Sequence, residues 1–93
     1  MNDIRAAKGL IALFLKLSGF TGVTLPWAIY IMPHRMNDIR LIRHEQEHVR
    51  QMKYLGVFKF YTLYIWYNIK YGYQDNPFEL AARSAEVSEK ELT

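Results

Sequence analysis

The 93-residue chain has no cysteine, so disulfides and thiolate metal sites are excluded and any metal must be held by His, Asp or Glu. It also lacks a spanning run. Residues 17–33 carry no formal charge but contain Gly19, Gly22, Pro26 and several polar groups, short of the roughly 20 apolar residues a transmembrane helix needs. Gly9 to Leu15 follows Arg5 and Lys8 in the manner of a signal-peptide start, but Lys16 interrupts it. Clustered basic patches and a glycine-aromatic RNA-binding motif are missing too, which argues against a nucleic-acid partner. Acidic residues are scarce in the body: residues 1–74 hold ten Lys and Arg against four Asp and Glu, whereas 75–93 hold two against five. The resulting expectation is one domain over residues 1–93, cytoplasmic, with contact to a membrane surface left open by the basic body.

What is present is bulk. Seven Tyr, five Phe and two Trp let a short chain bury a large area per residue. The spacing of Ile4, Ala7, Leu10 or Ile11, Phe14 and Leu17 predicts a first helix over 3–17, ended by Ser18 and Gly19. From Gly22 the alternation of Val23, Leu25, Trp27, Ile29 and Ile31 with more polar neighbours predicts one strand, at an edge because Pro26 cannot donate to a ladder. Asn37 or Asp38 is suited to cap a helix that ends near Leu55 with Gly56 as its C-cap, and Ile42, Val49 and Met52 are expected on its buried side. Residues 57–71 are aromatic on nearly every side and read as a helix packed on more than one face or one offering surface to a partner, with strand as the alternative. Asn76-Pro77 starts a last helix expected to reach about Lys90. The fold class is therefore mostly α with a short β element. The pentapeptide MNDIR occurs at 1–5 and 36–40, but the residues after the two copies differ and no structural repeat is inferred.

The chemistry lies in His44-Glu45-Gln46-Glu47-His48, an H-E-x-x-H sequence. On a helix two histidines four apart project from one face and can reach a single zinc ion, while Glu45, about 100° around, is placed as a general base for metal-bound water. The same five residues also arise by chance on solvated helix faces. Their position inside an apolar-periodic helix favours the metal. Two histidines need a third donor from another element, and Glu79 is the favoured candidate, 31 residues after His48. Its position three residues after Asn76 also fits a capping box, and Glu86, Asp75 and His34 are rivals. His34 is given no role, and Glu47 is read as a solvated partner of Arg43, Arg50 or Gln51. Tyr30 and Tyr73 are candidates to donate to an oxyanion, and Arg40, Arg43 and Arg50 are read as an exposed helix face.

With these motifs the chain resembles the glutamate-ligated zincin metallopeptidases, or gluzincins, and among them very small HExxH proteins of bacteria and phages. The resemblance covers Leu25 to Glu86 through LPWAIYI, LIRHEQEHVRQ and NPFELAA. It implies zinc ligation by His44, His48 and Glu79, catalysis by Glu45, and hydrolysis of a peptide or protein substrate lying antiparallel to an edge strand within residues 23–31. No third histidine stands about eleven positions downstream and there is no methionine turn, so the metzincin branch does not fit. Full-sized peptidases carry a larger sheet and a second subdomain that this length does not allow. An inactive, zinc-stabilised binding module is the alternative, and a metal-free membrane-surface protein is a third reading. Exposed aromatics are compatible with a homo-oligomer.

Overall fold

The structure is a computed structural model that describes residues 3–87. Its elements are β1 (Ile4–Ala6), α1 (Gly9–Ser18), β2 (Gly22–Leu25), β3 (Ala28–Ile31), a 3-10 turn (Pro33–Arg35), α2 (Ile39–Leu55), α3 (Val57–Tyr71) and α4 (Pro77–Ala85). This is the mostly α architecture with a short β element that the sequence predicts. The sheet order is β1-β3-β2, with β1 parallel and β2 antiparallel to β3.

Two predicted elements are corrected. The helix expected over 3–17 is a strand followed by a shorter helix. Ile4, Arg5 and Ala6 pair with Ile29, Tyr30 and Ile31 of β3, and α1 then turns Leu15 inward while Leu10, Phe14 and Leu17 stay exposed. Long-range pairing thus overrides the local helical period. The single strand expected from Gly22 to Ile31 is a hairpin, folded at Pro26 and Trp27 so that Leu25 faces Ala28 across the ladder. Proline is tolerated there because the turn asks for no ladder donor. Of the two hairpin strands β2 lies at an edge and β3 is central, so the edge implied over 23–31 contracts to the β2 part of that span; β1 forms the other edge.

The other boundaries follow the sequence. Asp38 caps α2 by accepting from the Leu41 N–H at 3.1 Å. Gly56 alone joins α2 to α3, at φ 91° and ψ 151°, a conformation closed to side-chain-bearing residues. Asn76 caps α4 through the Phe78 N–H at 2.8 Å, with Pro77 in the first turn. Helix α4 ends at Ala85 rather than near Lys90, and residues 88–90 of that expectation lie outside the described residues.

Helix α2 is the centre of the molecule, packed on α4, α3 and β2. Leu15, Ile29, Ile31, Met52, Phe60 and Ala82 are buried among the apolar residues, and Ile42 and Val49 are half-buried. Full burial of a side chain such as Phe60 contributes about 1.5–3 kcal/mol. No helix of the described residues is long and apolar enough to cross a membrane.

Candidate metal centre

Helix α2 buries His44, Glu45, His48 and Gln51; His44, His48 and Gln51 meet α4, and Glu45 meets β2. Polar side chains persist at such an interface only when each finds a partner. Here they do. From α4, Glu79 places one carboxylate oxygen 2.9 Å from His44 Nε2 and the other 3.2 Å from His48 Nε2. The two imidazole nitrogens and the carboxylate lie within 4.8 Å of one another. Among the described residues no other set of three His, Asp or Glu side chains comes together in this way.

The far side of each imidazole is also held. His44 Nδ1 stands 2.7 Å from Glu86 Oε2, and His48 Nδ1 stands 3.0 Å from Gln51 Oε1. The Gln51 amide is oriented independently, because its Nε2 donates to the Phe78 carbonyl oxygen at 3.1 Å. Both Nδ1 atoms therefore face acceptors, and both Nε2 atoms point at the same carboxylate. Metal-ligating histidines are oriented in this way by outer hydrogen bonds, which also fix the tautomer whose Nε2 lone pair is free. The separations of 2.9 and 3.2 Å run to different oxygens of Glu79, and one donor atom from each of the three residues lies within 4.8 Å of the others. Two imidazoles and a carboxylate are also a chemically suitable zinc donor set.

Electrostatics follow from the pairing. Burial alone would lower the pKa of His44, but hydrogen bonds with Glu79 and Glu86 outweigh it and the imidazole is raised above its ordinary value. His48 is raised against burial by Glu79. Burial would raise Glu79, yet its bonds to both histidines hold it far below the usual carboxylate range. Each Nε2 thus faces a carboxylate that favours positive charge at that position, whether a proton or a cation. Tyr64 donates to Glu79 Oε2 at 2.5 Å and thereby fixes the carboxylate from α3.

Glu45 behaves differently. Burial pushes its carboxyl up, only partly offset by His48. The Thr24 hydroxyl of β2 lies 2.8 Å from Glu45 Oε1 and 3.0 Å from the Glu45 carbonyl oxygen, and the Thr24 carbonyl accepts from Tyr61 at 2.8 Å. The other oxygen, Oε2, lies beside Gly22, where an added Cβ would stand 3.5 Å away. A cleft of about 200 Å³ opens over this group, lined by His44, Glu45, His48 and Glu79 and walled by Phe14, Phe20, Phe60, Tyr61, Tyr64 and Tyr73.

The predicted residues thus divide. His44, His48 and Glu79 converge, and Glu45 lines the same cleft. Glu79 does not act as a cap, since Asn76 alone performs that function and the Glu79 carboxylate turns inward. Of the rivals, Glu86 backs His44, while Asp75 and His34 are exposed outside the group. Tyr73 lines the cleft, its hydroxyl pushed up to about 12 by burial and by Glu79. Tyr30 instead receives hydrogen bonds from Arg5 and Trp27 on the sheet. Glu47 pairs with Arg50, at 2.9 Å from Arg50 Nε, as one of its expected partners, but its side chain is largely covered rather than solvated. Sequence reasoning missed Thr24, Gln51 and Tyr64. Gln51 alone had a signal, three residues beyond His48 on the same helix face. Comparison of the chain with protein-family models, curated proteins and solved structures gave no match.

Proposed function

We propose that this protein is a zinc-dependent hydrolase of peptide bonds, with His44, His48 and Glu79 as metal ligands and Glu45 as general base. The observation that carries the reading is the double orientation of the histidines: each Nδ1 is held by an acceptor while both Nε2 atoms converge on Glu79. Three protein donors beside an open cleft favour a catalytic over a structural site, which would use four. A zinc ion held there supplies Lewis acidity and makes water a nucleophile near neutral pH.

The chain's own residues supply the rest. Thr24 holds Glu45 Oε1, leaving Oε2 to take a proton from the attacking water and return it to the amine as the carbon–nitrogen bond breaks. Burial raises the affinity of Glu45 for protons above that of a solvated carboxylate, the direction that favours a general base. Tyr73, protonated at neutral pH, is the cleft tyrosine proposed to donate to the developing oxyanion. The edge strand β2 adjoins the cleft through Gly22, Val23 and Thr24 and offers a ladder to an extended peptide.

The test is Glu45→Gln, assayed on an unfolded protein substrate with zinc content measured in parallel. The expected result is retention of zinc with hydrolysis reduced by at least about a hundredfold, the usual worth of a general base. Unchanged hydrolysis would refute the catalytic role. A native chain that holds zinc and cleaves nothing would identify it as the zinc-stabilised binding module instead.

A further inference from the structure

Helix α1 turns a stripe of large apolar side chains to the outside: Leu10, Leu13, Phe14 and Leu17, exposed by 84%, 50%, 56% and 77%. The positions i, i+3, i+4 and i+7 form one continuous face. Helix α3 does the same with Phe58, Ile65 and Ile69, exposed by 86%, 58% and 74%, and with Trp66 beside them. Both stripes border the cleft described above. Phe14 belongs to the first and lines the cleft, and Tyr61, between Phe58 and Ile65 in the second, lines it too.

Charge identifies the occupant. Residues 4–37 contain four Lys and Arg and no acidic residue, and residues 48–74 repeat that composition. Exposed Lys8 and Lys16 flank the α1 stripe, and exposed Lys59 and Lys70 flank the α3 stripe. A second copy would bring the same cations against these faces. An anionic lipid surface complements them, because it accepts apolar side chains at the acyl boundary and cations at the phosphates. Tryptophan is at home at that depth.

We infer that the outer faces of α1 and α3 form a membrane-surface site for an anionic bilayer, with the mouth of the cleft held against the lipid. The site uses no metal ligand, so it stands or falls apart from the hydrolase reading.

The test uses the zinc-free full chain with phosphatidylglycerol–phosphatidylcholine vesicles and with phosphatidylcholine alone. The variant Trp27→Phe leaves Trp66 as the only tryptophan. Expected are co-sedimentation with the anionic vesicles, quenching of Trp66 by brominated acyl chains, and binding weakened about tenfold or more by Leu10→Ser with Leu17→Ser or by Phe58→Ser with Ile69→Ser. Failure to sediment would overturn the inference, as would sedimentation without quenching of Trp66. Undiminished binding by serine variants shown to be folded by circular dichroism would do the same. Dimerisation through these stripes, without vesicle binding, would assign them to a second copy. The quenching result decides the matter if the serine variants lose their fold.

Discussion

The α2–α4 interface and the outer faces of α1 and α3 have exchanged their usual residents. Inside, Glu79 is 3% exposed and His48 and Glu45 6% each; outside, Leu10 and Phe58 are more than four-fifths exposed. Neither arrangement maximises the stability of an isolated chain. Buried charges cost several kcal/mol each before pairing repays them, and an apolar side chain left in water forgoes about 1.5–3 kcal/mol. The polar interior is what the proposed metal centre would require, and the apolar exterior what the proposed lipid surface would require.

The comparison can be broken most sharply from the inside. Glu79→Ala or His48→Ala should weaken zinc binding by far more than a hundredfold, since each removes one of three donors, and competition with a chromophoric chelator would measure it. Glu86→Gln and Gln51→Leu, which leave all three donors in place, should each cost about ten- to hundredfold in the same titration. Loss no smaller than that of Glu79→Ala would promote either residue to a ligand.

Backbone geometry gives the next effect. A Cβ at Gly56 meets nothing within 4 Å, so Gly56→Ala tests conformation alone and should destabilise the fold by about 1–3 kcal/mol in urea unfolding. On the outer face, Leu17→Ser should change stability by no more than about 0.5 kcal/mol. A much larger loss would mean that this face is packed after all.

The pH response separates metal-free from metal-loaded protein. In the metal-free chain His44 and His48 are raised above their ordinary 6.5. Their contribution is thus fully present below pH 6.5 and lost as pH rises through the folded values. The melting temperature of chelator-treated protein should fall across that interval. With zinc the sign reverses, because the ion competes with the same protons and is held more tightly as pH rises. Parallel profiles with and without zinc would contradict the assignment.

Much of this was legible before the fold. Asp38 and Gly56 mark the ends of α2 because a cap and a left-handed joint are local requirements, and Asn76-Pro77 marks α4 for the same reason. The two MNDIR segments show where local reading stops. Ile4 and Arg5 of the first copy are in a strand, whereas Asp38 of the second caps a helix and Ile39 and Arg40 begin it. Pairing with β3, invisible from five residues, decides the first case. At the site, H-E-x-x-H gives His44, Glu45 and His48 by spacing alone. The spacing of Glu79 from Asn76 fits a cap as well as a ligand, and only the fold shows Asn76 capping without it. The supporting residues Glu86, Thr24 and Tyr64 come from three other parts of the chain, and no periodicity links them to the motif.

The most direct test of the metal centre is elemental mass spectrometry of zinc in protein purified without a metal-binding tag, for the native chain and for folded His48→Ala and Glu79→Ala variants. The account predicts about one zinc per native chain and its loss from both variants. A native chain that takes up no zinc even after reconstitution would contradict it.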